Sequence, residues 1–251
     1  MRLAILSDIH GNLPALQAVL ADLEAQGGAD KIWVLGDLAA FGAQPAECIQ
    51  ILRDLPNSQT IRGNTDRYLC YGHRPKFKAP HDEESWNTFA QRIARADHDL
   101  RWGMEHLTWA EAEFLLKLDS ALGLEVEGFG WVLAYHAAPN DDESLLPPDV
   151  DEDTLADALL DAEGRLIFGG HTHLPMDRTV GYKRMVNPGS VGLPFDGDPR
   201  AAYLIASFTG AEVALTWRRV DYEREAALAQ AEALGWPNME TLSRRLRTGT
   251  P

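Results

Sequence analysis

Short apolar runs, each closed by a glycine beside an acid, amide or histidine, recur along this chain with helical stripes between them. Arg2 to Ser7 is the first such run, as expected of a strand buried on both faces. Pro14 stands where the first turn of a helix accepts proline, and Asn12 just before it suits a cap. Leu16, Val19, Leu20 and Leu23 then follow helical spacing until Gly27-Gly28 stops the run. Lys31 to Leu35 predicts the next strand, and strand–helix–strand order implies a right-handed parallel crossover. The pattern repeats with a helix from Pro45 carrying Ile49, Leu52 and Leu55, then a short strand over Thr60 to Arg62.

From about Tyr71 to Leu118 the alternation breaks. The first part is polar and proline-bearing, through His73-Arg74-Pro75 and Ala79-Pro80-His81. Trp86, Phe89, Ala90 and Ile93 then mark an amphipathic helix, and Thr108 with Glu111 reads as a capping box. The segment predicts a helical insert, residues 71–118, lying over a site as a lid. Beyond it, Leu122 to Val126 and Gly130 to Tyr135 predict a hairpin, Thr154 to Leu160 a helix, and Arg165 to Phe168 a strand. Strands near Arg184 to Val186, Ala202 to Ala206 and Val213 to Trp217 follow, then one charged helix from about Tyr222. The strand-rich second half suggests a second sheet packed on the first, within a single domain spanning residues 1–251.

Composition narrows the function. Lysine and arginine number 23 against 38 acids, a net charge of −15. That balance disfavours nucleic-acid polymers and anionic membranes, whose binding rests on neutralising phosphates. A small phosphorylated substrate stays open, because bound metals would supply local positive charge. Two cysteines, Cys48 and Cys70, make no disulfide framework and read as reduced thiols, which with the absence of a leader-like start predicts a cytoplasmic protein. No apolar run reaches the length of a membrane span.

The chemistry lies in five separated segments: Asp8-x-His10, Gly36-Asp37, Gly63-Asn64, His136, and Gly170-His171-x-His173. Singly, each has an ordinary reading as a turn, a cap or a core histidine. Together they offer carboxylate, carboxamide and imidazole groups at or just after strand ends, where open α/β sheets bind ligands. That donor mix suits first-row divalent metals. Two ions ~3.5–4 Å apart need a bridging carboxylate, and Asp37 is the natural bridge. The set predicts phosphoester hydrolysis by a metal-bridging hydroxide, with no covalent intermediate.

These segments, as Ser7-Asp8-Ile9-His10-Gly11-Asn12, Leu35-Gly36-Asp37, Arg62-Gly63-Asn64-Thr65-Asp66, Tyr135-His136 and Gly169-Gly170-His171-Thr172-His173, resemble the calcineurin-like metallophosphoesterase superfamily. Val186-Asn187-Pro188-Gly189-Ser190-Val191-Gly192 looks like its smaller bacterial and archaeal phosphodiesterase branch. The resemblance covers nearly the whole chain, least so the insert. It implies a four-layer α/β/β/α sandwich. It also implies that Asp8, His10, Asp37 and His173 hold one metal and Asp37, Asn64, His136 and His171 the other. Manganese is the expected metal, with iron, zinc, nickel and cobalt as alternatives.

Thr65 departs from that pattern. Many relatives carry histidine there, beside an acidic residue, and threonine is no comparable general acid near neutral pH. Asn64, Thr65 and Asp66 are therefore the expected catalytic segment, with the acid role open. Four histidines outside the metal set (His73, His81, His98 and His106) lie in the insert; His73 is the first candidate acid, against an ordinary surface role. Arg67 is a candidate phosphate contact or a surface ion pair, and Asn12 a substrate contact or a helix cap. Asp141-Asp142-Glu143 is an acidic loop at the cleft mouth or a third metal site. The expected activity is hydrolysis of small nucleotide-like phosphodiesters. A phosphomonoesterase and a non-catalytic metal-binding scaffold are the alternatives.

Overall fold

The computed structural model describes residues 1–251. In chain order its elements are β1 (Arg2–Leu6), α1 (Leu13–Ala25), β2 (Lys31–Val34), α2 (Pro45–Asp54), β3 (Ser58–Thr60), α3 (Asn64–Tyr71), α4 (Glu83–Glu105) and α5 (Trp109–Leu116). Then come β4 (Ala121–Val126), β5 (Gly130–Tyr135), α6 (Glu152–Ala158), β6 (Leu166–Phe168), β7 (Met176–Val180), β8 (Lys183–Asn187), β9 (Ala201–Thr209), β10 (Glu212–Val220), α7 (Arg224–Ala233) and α8 (Met239–Thr248). The strands form two five-stranded sheets, ordered β10-β9-β1-β2-β3 and β4-β5-β6-β8-β7. In the first, β1, β2 and β3 run parallel and β9 is antiparallel to β1. In the second, β5, β6 and β8 run parallel between antiparallel edge strands.

The period of two along β1 builds the layers. Leu3 and Ile5 enter one cluster with Trp33 and Leu35 of the first sheet and Val132, Phe168 and Val186 of the second. Ala4 and Leu6 point the other way, onto Leu16 and Val19 of α1 and Ile49 and Leu52 of α2. On the outer face of the second sheet, Ile167 and Met185 pack against Leu155 of α6. Helix, sheet, sheet, helix is thus the stacking order, as expected. No helix is long and apolar enough to cross a membrane, and both cysteines are free.

Several details differ from the sequence expectation. The third strand lies at Ser58–Thr60, earlier than Thr60 to Arg62, because Asn64 already opens α3. β7 was not expected. Its exposed Asp177 and Thr179 hide the apolar signal, and the two-residue Gly181-Tyr182 turn pairs it with β8. The single C-terminal helix is two, broken at Gly235-Trp236-Pro237, where glycine takes φ 78° and proline cannot continue a helix. In α4 the stripe of Trp86, Phe89 and Ile93 does not face the main body. Trp86 stacks on Phe89 and Phe89 meets Phe77 edge-on, so these rings satisfy one another inside the insert, and full burial begins only at Asp99.

The two tryptophans therefore separate core from insert. Trp33 is fully buried between the sheets and Trp86 is 56% exposed. Trp33→Ala is expected to lower unfolding free energy by about 3–5 kcal/mol, and Trp86→Ala by under about 0.5 kcal/mol. Urea unfolding followed by circular dichroism measures both, and comparable losses would show that α4 is an integral part of the core.

Candidate metal centre

The loops leaving β1 and β2 continue the parallel ladder past the strand ends: Asp8 N–H donates to Gly36 O, His10 N–H to Asp37 O and Gly11 N–H to Leu38 O. This pairing puts Asp8, His10 and Asp37 side by side. From the second sheet, β5 delivers His136, and the loop after β6 delivers His171 and His173. Gly170 N–H donates to His136 O at 2.6 Å, locking those two segments together.

The backbone works against its own preferences here. Asp8, His10, Asp37, His171 and His173 all have φ between 50° and 63°, a left-handed region that non-glycine residues seldom occupy. Such strain costs of order 1 kcal/mol or more per residue and concentrates at functional sites. Two glycines permit the crowding. A Cβ on Gly63 would lie 2.1 Å from Asp37 Oδ1, and one on Gly170 would lie 2.0 Å from Ser7 Oγ and 2.8 Å from Asp8 Oδ2.

Hydrogen bonding then sets the chemistry of the rings. A carbonyl only accepts, so His10 Nδ1 donates to Ala40 O, His136 Nδ1 to Leu35 O and His173 Nδ1 to Leu193 O. In its neutral form each of these rings presents a bare Nε2. His10 Nε2 and His173 Nε2 stand 3.1 Å apart, two lone pairs facing each other with no hydrogen between them. Asp37 Oδ2 is 3.6 Å from His10 Nε2, Asp8 Oδ1 is 3.4 Å from His173 Nε2, and Asp8 Oδ1 has no hydrogen-bond partner although buried. Asn64 Oδ1 faces His136 Nε2 at 2.9 Å and His171 Nδ1 at 3.0 Å. Asp8, His10, Asp37 and His173 form one group whose donor atoms lie within 4.8 Å of one another, and Asp37, His136 and His171 form a second, with Asp37 common to both. Thr65 N–H and His171 N–H each reach one carboxylate oxygen, of Asp37 and Asp8 respectively. The remaining convergence of acceptors is the environment a divalent cation relieves, and the residues fit that group.

Burial drives His10 down to about 4 and also lowers His171, keeping both neutral near pH 7. For His136 burial opposes the charge, but the Asp37 and Asp8 carboxylates prevail and raise it. Burial pushes the Asp8 carboxyl up, yet His173, His136 and His10 together outweigh it and hold it below the usual carboxylate range.

Other residues hold this frame. Asp66 accepts from Asp37 N–H, Leu38 N–H and Gly63 N–H at 2.8, 2.9 and 3.0 Å, clamping the Asp37 loop to the start of α3. Burial and the Asp37 charge push its pKa up to about 7. All three neighbours are N–H donors, so the hydrogen bonds call for the carboxylate form. Thr65 N–H donates to Asp37 Oδ1, whereas its hydroxyl is buried, unpartnered and on the cavity wall. Asn187 donates to Gly170 O and Thr172 Oγ1, and Ser190 Oγ donates to Asp8 O. Sequence reasoning missed the last two as positioning residues; the Asn187-Pro188-Gly189-Ser190 turn was their only signal.

Three candidates lie elsewhere. Asn12 caps α1, accepting from Ala15 N–H, and its amide donates to Gly192 O and Tyr222 Oη, which leaves nothing for a substrate. Arg67 is held bidentately by Asp142 at 2.7 Å and by Glu143 at 2.6 Å, so those acids form an ion pair and Arg67 does not wall the cavity. His73 is exposed against Arg67, and His81, His98 and His106 also stay off the cavity wall; His106 stacks on Trp102. The insert instead contributes Pro75, Phe77, Arg92 and Arg95 to a cavity of about 350 Å³ above the cluster.

A family model described as a calcineurin-like phosphoesterase superfamily domain matches residues 1–210. An uncharacterized protein of Methanocaldococcus jannaschii is 33% identical over 242 residues, covering 90% of this chain and 89% of that one. The crystal structure of a metallophosphoesterase from Sphaerobacter thermophilus superimposes with a TM-score of 0.77 at 28% identity, covering 100% of both chains. A symmetrical bis(5'-nucleosyl)-tetraphosphatase of Actinobacillus pleuropneumoniae is 38% identical over 66 residues, which is 26% of this chain and only 24% of that enzyme.

Asp66→Asn sets an amide NH2 against an N–H donor. It is expected to cost about 1–3 kcal/mol of stability, read by urea unfolding, while Thr65→Val, which only removes an unpartnered hydroxyl, should not destabilise. An unchanged Asp66→Asn midpoint would refute the clamp.

Proposed function

The chain belongs to the calcineurin-like phosphoesterase superfamily, and on that premise we propose that it is a dimetal phosphodiesterase acting on small nucleotide-like esters. The carrying observation is the facing pair of ring nitrogens on His10 and His173, set beside the Asp37 carboxylate and the unpartnered Asp8 Oδ1. In this reading Asp8, His10, Asp37 and His173 hold one ion, and Asp37, Asn64, His136 and His171 hold the other. When bound, the ions supply Lewis acidity, polarising phosphoryl oxygens and lowering the pKa of water toward neutrality. Manganese is the proposed native metal on the family resemblance, and the carboxylate, carboxamide and imidazole donors suit first-row divalent ions as a class.

The protein's own residues supply position and exclusion. The carbonyls of Ala40, Leu35 and Leu193 fix three ring tautomers, as second contacts of metal-binding histidines do. Asp66 fixes the Asp37 backbone. The Thr65 hydroxyl is free to donate to a phosphoryl oxygen but does not protonate a leaving group at neutral pH. No insert histidine reaches the cavity wall, so a substrate whose leaving group departs without a strong acid is favoured. A diester whose departing group is a stabilised anion fits that requirement, and the partial likeness to a bis(5'-nucleosyl)-tetraphosphatase supports a nucleotide-like substrate.

After chelation and dialysis, manganese titration is expected to reach about two ions per chain, and Asp37→Ala, which removes the shared carboxylate, is expected to disturb both. Asp37→Ala and His136→Ala should each cut turnover at least roughly 100-fold with the circular dichroism spectrum retained. Full turnover in either would discard the ligand assignment.

Manganese-loaded protein is expected to hydrolyse bis(p-nitrophenyl) phosphate faster than the mono ester. The reverse order would favour a phosphomonoesterase. Inertness on both and on a nucleotide panel, with metals bound, would favour the scaffold.

A further inference from the structure

The cavity over the metal cluster is walled partly by residues from the regions least covered by the family pattern. Arg92, Arg95 and Asp99 come from α4 in the insert, and Arg245 comes from α8, beyond residue 210 where the family match ends. Phe41, Phe77 and Phe195 add aromatic wall. In a chain of net charge −15, three arginines on one cavity run against the overall trend.

Arg245 is the unusual member. Its Nε is buried with no hydrogen-bond partner. Its guanidinium stands 5.6 Å from the centre of the Phe195 ring, and Phe195 in turn stacks on candidate ligand His173 with ring centres 4.3 Å apart and planes 11° apart. The ring contact fixes where the cation sits without neutralising it. Arg67, Arg218 and Arg247, by contrast, find carboxylates; Arg62 shares the buried, unpartnered Nε but does not line the cavity. The nearest acid here is Asp99, which accepts from Asn238 Nδ2 and makes no ion pair with Arg245. Burial pushes the Asp99 carboxyl up and the Arg245 guanidinium down, so each charged form is under pressure from its surroundings. A guanidinium does not shed its proton in a protein, so an arginine with a buried, unpaired Nε retains an unmet demand for an acceptor. Phosphate oxygens meet that demand with the planar, bidentate geometry arginine favours.

We propose that Arg245, with Arg92 and Arg95, forms an anion subsite that takes a second, non-scissile phosphoryl group, selecting nucleotide-like esters that carry more than one phosphate. The cavity of about 350 Å³ is of a size to hold a compact ligand of this kind. Phe41 holds φ 73°, a genuine outlier for a bulky side chain, and lines the same cavity as Phe77, where an aromatic ring suits base stacking. The inference rests on the phosphoesterase reading, since the second phosphate is defined relative to one at the metal cluster.

Calorimetric binding of ADP and AMP to the manganese-loaded full chain, at constant excess manganese, tests it. Wild type is expected to bind ADP more tightly than AMP. Arg245→Gln is expected to weaken ADP roughly 10- to 100-fold and AMP less than about threefold, with Arg245→Lys intermediate. Equal affinity for the two nucleotides in wild type, or equal losses of both in Arg245→Gln, overturns the subsite. Should Arg245→Gln fail to show a cooperative thermal transition, Arg95→Gln at the exposed rim carries the test, with an ADP-selective loss of roughly threefold or more expected and no selective loss overturning it. Wild-type turnover of bis(p-nitrophenyl) phosphate is scored separately. ADP-selective binding without that turnover would sink the phosphodiesterase reading and leave the anion subsite standing.

Discussion

Acceptors that face one another without a proton between them are the constraint around which this molecule is arranged. Three imidazole rings each turn an N–H to a backbone carbonyl, and what remains is a cluster of ring nitrogens and carboxylate oxygens packed closer than electrostatics favours in a buried setting. Hydrophobic burial between the sheets offsets that repulsion. Leu3, Ile5, Trp33 and Phe168 are all fully buried directly below the strand ends that carry the cluster. The core thus does more than hold the layers together, since it keeps apart from solvent a set of groups whose chemistry fits a divalent cation.

The same logic explains the backbone. Left-handed conformations at five of the cluster residues cannot arise from local preference, since aspartate and histidine at best tolerate them. They persist because the neighbours over-determine them. Asp66 grips one loop with three hydrogen bonds, Asn187 and Ser190 tie the His171 and Asp8 loops across the sheet interface, and Gly63 and Gly170 leave no volume into which the loops can relax.

Much of this was legible in the residues. The strand ends announced themselves because a buried strand reads as an unbroken apolar run, and the glycine before Asp37, Asn64 or His171 marks close backbone approach. What was illegible depended on packing between distant parts. β7 is an edge strand with polar outward residues and so lacks a hydrophobic signature. Trp86 and Phe89 show helical spacing, but spacing does not say whether a stripe meets the core or its own insert. Arg67 and Asn12 have the chemistry to meet a substrate, and only the positions of Asp142, Glu143, Gly192 and Tyr222 show that this capacity is already used. Arg245 and Phe195 carry no motif at all; their place on the cavity wall follows from how α8 docks on the insert and the Leu193 loop.

His10 meets His173 across a sequence separation of 163 residues. At ribosomal speeds of ~5–20 residues per second, roughly 8–30 s pass between the emergence of one and of the other. Throughout that interval the nascent chain displays only part of the cluster, while the second sheet is still incomplete. The full set of donor groups therefore comes into being late, only once the segment bearing His173 has joined the first strand's loop.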